Sequence, residues 1–188
     1  YEKNLHLFGG ITTENDRVLK GLSVYVSDSS TIDYSYLSKL FLLEEFKIDH
    51  EYTYELDSQP LLEVLGGLKN LSSVSFSNLI LQDKLIEENL NPLLTSLIVK
   101  DCKLAHVDLK IFSRLTHIDL SRNFLKEVKN IPGTVQHLNL SFNLLNSVSL
   151  SPQNKLVYLD LSFNALSKSI KAVLNAVRSN SIRLHLRA

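Results

Sequence analysis

Large apolar residues recur along this chain at a fixed set of offsets. Residues 115–125 read LTHIDLSRNFL, residues 135–145 read VQHLNLSFNLL and residues 156–166 read LVYLDLSFNAL. The first, fourth and sixth positions of each segment are apolar: Leu115, Ile118 and Leu120; Val135, Leu138 and Leu140; Leu156, Leu159 and Leu161. The ninth is Asn123, Asn143 or Asn164. Apolar residues two apart, with polar ones between them, are the mark of a short strand with one buried face. The asparagine falls where the chain must leave that strand.

The same offsets extend toward the N-terminus. They take in Leu94, Leu97 and Val99, with Cys102 in the asparagine slot, and then Leu71, Val74 and Phe76. Before these come Leu43, Phe46 and Ile48, and Leu19, Leu22 and Val24. Ser27, Glu51 and Leu79 fill the ninth slot of the first three turns, so the pattern is looser there. Leu184 and Leu186 extend it forward, and Leu5 and Leu7 are a further candidate pair at the start. First positions fall at 19, 43, 71, 94, 115, 135, 156 and 181, giving intervals of 24, 28, 23, 21, 20, 21 and 25.

A repeat of this length cannot bury its apolar face alone and stacks on its neighbours. The L-x-x-L-x-L-x-x-N pattern resembles that of the leucine-rich repeat family over most of the chain. The resemblance implies an α/β fold, a leucine-rich repeat solenoid or horseshoe with a parallel sheet on its concave side. The expected organisation is a single domain over residues 1–188, made of about eight irregular repeats.

The segments between strands predict a mixed convex side. DSQPLLEVLGG from 57 reads as a short helix capped by Asp57, with Pro60 in its first turn and Gly66–Gly67 at its end. STIDYSYLSKLFLL from 30 carries a capping-box pattern in Ser30 and Asp33. From 167, Ile170, Val173, Leu174 and Val177 have helical spacing behind Ser167 as N-cap. Turns of 20 or 21 residues leave too little chain for a helix, so their return limbs should be extended or 3₁₀. HEYTYELD from 50 is expected to protrude and display Tyr52 and Tyr54.

With the fourth and sixth positions inward, the third, fifth and seventh should face out. That display holds His117, Asp119 and Ser121, then His137, Asn139 and Ser141, then Tyr158, Asp160 and Ser162, and finally Arg183, His185 and Arg187. Parallel strands about 4.8 Å apart bring equal slots of successive turns into contact. His117 and His137 become neighbours, a pairing that suits a metal, a pH-sensitive contact, a protein contact or plain solvated surface. A flat sheet spreads metal ligands apart, so no metal is expected. Phe142 and Phe163, both at the eighth position, either lean into the core or form an exposed pair at the sheet edge.

Composition narrows the partners. Lys and Arg together number 20, as do Asp and Glu, so no overall field draws the chain to nucleic acid. No apolar run is long enough to cross a bilayer, so this segment is expected not to insert into membranes. Cys102 is the one cysteine; it rules out an internal disulfide, weights the reading toward a reducing compartment and suits a buried structural thiol. The chain begins at Tyr1 and has no Met, so it reads as part of a longer protein, with more repeats or a cap expected beyond SIRLHLRA.

Catalytic patterns are missing: no phosphate-binding glycine loop, no G-x-S-x-G and no H-E-x-x-H. His117, Asp119 and Ser121 lie along one strand face at spacings too wide for a relay. No enzyme activity and no cofactor are therefore expected. The resemblance implies a protein-binding module whose concave face holds a macromolecular partner. The candidate contact residues are His117, His137, Asn139, Tyr158, Asp160 and Arg183. Two variants of this reading are an extracellular receptor ectodomain similar to Toll-like receptor repeats, with sequons at Asn70 and Asn139, and a substrate-targeting domain of an attached enzyme such as a ubiquitin ligase or bacterial effector.

Overall fold

The computed structural model describes residues 19–26, 34–54, 58–150, 154–166, 171, 173–175 and 182–187, with side chains 52–54 and 85 excepted. Among these residues lies one sheet of eight parallel strands whose spatial order is their order in the chain. They are β1 (Gly21–Val26), β2 (Glu45–Tyr54), β3 (Ser73–Leu79), β4 (Ser96–Lys100), β5 (His117–Asp119), β6 (His137–Asn139), β7 (Tyr158–Asp160) and β8 (Arg183–His185). Parallel neighbours need a return limb to connect them.

The registers match the sequence pattern turn for turn. Leu22, Phe46, Val74, Leu97, Ile118, Leu138, Leu159 and Leu184 form one row across the sheet. From β1 to β7 this row and the sixth-position row are buried in a single apolar core. A fully buried leucine is worth roughly 1.5–3 kcal/mol, and a one-residue slip would turn every such side chain to water, so the pattern pins the register. The last turn departs from expectation. Leu184 is half-buried and Leu186 is 38% exposed, because among the described residues no strand beyond β8 covers them.

Length decides what each return limb becomes. The first carries a 3₁₀ helix, Tyr34–Lys39; Ser30 and Asp33 lie outside the described residues. The longest carries α1 (Gln59–Gly66), with Ser58 at the N-cap position, Pro60 in the first turn and Gly67 closing it. Asp57, the expected cap, lies outside the described residues, and Ser58 makes no capping hydrogen bond through its side chain. The next limb holds α2 (Asp83–Asn89), which the sequence pattern did not announce. Lys171 and Val173–Asn175 are helical, and the rest of the segment from 167 to 180 lies outside the described residues. The 20- and 21-residue turns have no helix in their described return limbs, which are irregular, with turns and one Asp108–Lys129 bridge between successive limbs.

The 3₁₀ helix packs on α1 and α1 on α2. At the second contact a Cβ on Gly66 would stand 1.8 Å from the Asn89 carbonyl oxygen. Backbone cannot move aside there as a flexible side chain could. Gly66→Ala should therefore lower stability by about 2–3 kcal/mol through overpacking, read from the urea midpoint; an unchanged midpoint would mean that the helices do not meet this closely.

The segment from 50 departs from expectation as well. Its backbone continues β2 to Tyr54, with an irregularity between Asp49 and Tyr54 where five residues face two of β3. The protruding loop is thus a bulged strand, and the side chains of Tyr52 and Tyr54 lie outside the described residues. The long strand continues its alternation and carries His50 inward behind Phe46 and Ile48. Among the described residues neither ring nitrogen of His50 has a hydrogen-bond partner, and burial lowers its pKa, opposed by nearby Asp49. A lowered native value means that the unfolded chain takes up the proton first. Stability is then lost as pH falls from the ordinary value near 6.5 through the lower native one. His50→Leu should stabilise the fold by roughly 1 kcal/mol at pH 8, and by more at pH 5; denaturation curves at the two pH values test this, and an equal gain at both would refute the linkage.

Candidate functional site

The ninth-slot amides hold the strand ends in place. Asn143 Nδ2 donates to the carbonyls of Leu120, Leu140 and Ser141 at 2.9, 3.1 and 3.3 Å, and its Oδ1 accepts from the Leu125 N–H. Asn123 and Asn164 repeat the arrangement one turn before and one turn after. Cys102 substitutes a thiol that reaches the Lys100 carbonyl at 3.2 Å and Phe76 at 3.6 Å. Burial pushes its pKa up to about 12, which makes it an inert structural thiol.

The fifth slot ends the short strands. Asp119, Asn139 and Asp160 each accept, through one side-chain oxygen, the N–H of the serine two residues on, at 2.9–3.0 Å. This is an Asx turn. It corrects one sequence expectation: Ser121, Ser141 and Ser162 do not face out with the third and fifth slots but are buried, because the chain has already turned beneath them. The Asp/Asn-x-Ser spacing was the signal for this. Seventh-slot residues on the longer strands, such as Tyr25 and Lys100, do remain exposed.

The third-slot row is the site's main feature. His117 and His137 stack almost parallel, with ring centres 4.5 Å apart and an interplanar angle of 8°. Tyr158 continues the row at 6.2 Å from His137, and His185 follows at 5.2 Å from Tyr158. Arg183 stands in register beside Tyr158 and is exposed. His137, Val157, Tyr158 and Arg183 line a cleft of about 310 Å³. Of the six candidate contact residues, His117, His137, Tyr158 and Arg183 thus fall in one continuous row. His185, a fifth-slot residue in register with Asp160, extends the ring contacts to Tyr158 and was not among the candidates.

Asn139 and Asp160 sit one step along the strands and have internal tasks. Asn139 accepts from Ser141 through Oδ1 and donates to Asp119 Oδ2 at 3.2 Å, so both ends of its amide are engaged. It is also half-buried, a poor acceptor for a glycan. Asp160 keeps its second oxygen near the Tyr158 hydroxyl, at 3.4 Å. Burial and this carboxylate together raise the Tyr158 pKa, which keeps the phenol protonated.

His117 Nδ1 lies 3.0 Å from Thr116 Oγ1, whose one proton can go to the Thr95 carbonyl at 3.1 Å. That arrangement favours the Nδ1–H tautomer. Asp119 faces the Ser121 N–H, so His117, Asp119 and Ser121 form no proton relay. Among the described residues no group of three His, Cys, Asp or Glu is placed to hold a metal, and no helix is long and apolar enough to cross a membrane. No family model matches the chain, and no curated protein matches it significantly.

Burial first, and then the adjacent His137, lower the His117 pKa. A charged imidazole stacked beside His117 would repel a proton on it. In His137→Ala, the His117 titration followed by NMR should move upward toward the ordinary histidine value. An unmoved titration would show that the two rings do not sense each other.

Proposed function

We propose that this chain is a leucine-rich repeat module that binds a protein partner on the exposed face of its sheet. It acts by recognition and not by catalysis. The observation that carries the reading is the row His117, His137, Tyr158 and His185, with Arg183 beside it. Aromatic rings and an arginine amid polar neighbours are the composition that protein interfaces favour. The strands under the row are anchored by buried leucines and amide ladders, so a partner would meet a rigid surface and lose little ordering entropy on binding.

The neighbouring groups suit a polar contact around an aromatic centre. Asp119 and Asp160 supply carboxylates, Arg183 a guanidinium and His117 an exposed imidazole edge. The repeat pattern supports the family reading: L-x-x-L-x-L-x-x-N recurs in tandem, the strands are parallel in chain order, and the amides bridge successive turns.

The test is capture with a photo-crosslinking residue placed at Val157, at the edge of the cleft. The triple variant His117→Ala/His137→Ala/Tyr158→Ala should reduce the captured partner by about tenfold or more, as loss of central anchors does. Arg183→Ala should give a smaller loss. Undiminished capture by the triple variant would remove the sheet face from consideration.

A further inference from the structure

We propose that the sheet edge beyond the C-terminal ends of β5, β6 and β7 is a second docking surface, built on Arg122, Phe142 and Phe163, for an acidic peptide segment bearing large apolar side chains. This surface is separate from the exposed sheet face and stands whether or not that face binds.

The eighth slot provides an internal comparison. From β3 onward its occupants are Asn78, Asp101, Arg122, Phe142 and Phe163, and all five have left-handed backbone, with φ between 55° and 58°. That conformation disfavours any side chain with a Cβ, Asn and Asp least of all. Asn and Asp do fill it in two turns, so the fold itself has no need of phenylalanine there. The backbone instead swings the side chain away from the core, and Phe142 and Phe163 remain 41% and 40% exposed. A bulky residue kept in a strained slot, with its ring in water, is explained by what the ring contacts from outside.

The rings are already ordered for contact. Phe142 and Phe163 stack at 4.2 Å with an interplanar angle of 22°. The Arg122 guanidinium, from the preceding turn, lies 4.7 Å from the Phe142 ring centre. Two residues further on in the same turns, Phe124 and Leu144 are about half exposed. The apolar row therefore spans three turns, beyond the scattered single residues a surface normally shows.

Charge selects the occupant. Lys100, Lys103 and Arg122 are exposed at the head of this row, and among the described residues none of them is in an ion pair. Asp101 and Asp49 share the adjoining cleft of about 230 Å³, where Asp49 is taken by the Asn78 amide. A carboxylate-bearing segment complements these cations while its apolar side chains cover the rings. A nucleic acid strand fits less well. Phe142 has Arg122 and Phe163 as its ring neighbours, which leaves a base at most the outer face of Phe163 to stack upon, and the chain carries no excess positive charge.

The experiment is selection from a phage library of random peptides about twelve residues long, panned on the chain and counter-selected on Phe142→Asn/Phe163→Asn. Enriched peptides should be net acidic and contain Phe, Trp or Leu. By fluorescence anisotropy, a labelled enriched peptide should bind the double variant and Arg122→Glu about tenfold more weakly, weaken in high salt, and bind His117→Ala/His137→Ala as it does the wild type. The urea midpoint of the double variant should be unchanged or higher, since Asn suits the slot. The proposal falls if no peptide is enriched, if the winners are neutral or basic, if the double variant loses stability, or if the His117/His137 variant loses binding too. It falls equally if oligo(dT) or phosphatidylserine vesicles bind in a Phe142/Phe163-dependent way where peptides do not.

Discussion

Everything in this molecule hangs on how a polar backbone is finished at the end of each strand. A parallel strand that stops after three residues leaves carbonyl and amide groups inside the wall between turns, out of reach of water. Stranding one such group costs about 1–3 kcal/mol. The carboxamides of Asn123, Asn143 and Asn164 remove that cost by donating to their own turn and the one before, and accepting an N–H from the preceding return limb. Each amide therefore ties two turns together. The paired leucines supply the apolar driving force, but the amides set where the chain may turn and how closely turns stack.

That constraint explains the display surface. Because the fifth-slot Asp or Asn ends the strand through an Asx turn, two outward positions per turn remain on β5 to β7 instead of three. The third slot is left as the wide, open one. Its occupants in four successive turns are His, His, Tyr and Arg, with His185 reaching back to Tyr158. Fixed spacing between turns converts side chains 20 residues apart in the chain into stacked rings. A surface of this kind is pre-ordered by the core beneath it, which is what a recognition role asks of it.

The same turn geometry generates the strained eighth slot. Where β2 runs on as a long strand, the eighth residue, His50, points inward and is buried without a hydrogen-bond partner among the described residues. In the next five turns the eighth residue has positive φ, whether the strand ends before it or, as in β3, runs past it. One slot in the repeat thus yields a buried imidazole in one turn and an exposed phenylalanine in two others, according to the sign of φ at that slot.

Much of this was legible in the chain alone. The inward rows and the register of all eight strands follow from residues two apart in the L-x-L core of each turn, because side-chain direction in a strand is a local property. Pro60 and the glycines at 66 and 67 likewise announced α1, and limb length announced that the described backs of the shortest turns hold no helix. What the tertiary structure decided is whatever depends on a neighbour a full turn away. The stacking of His117 on His137, that of Phe142 on Phe163, and the close approach of Gly66 to Asn89 all turn on the distance between coils. Local pattern specifies which way a side chain points; what it then meets is set by packing between segments some twenty residues apart, which no single stretch of sequence encodes.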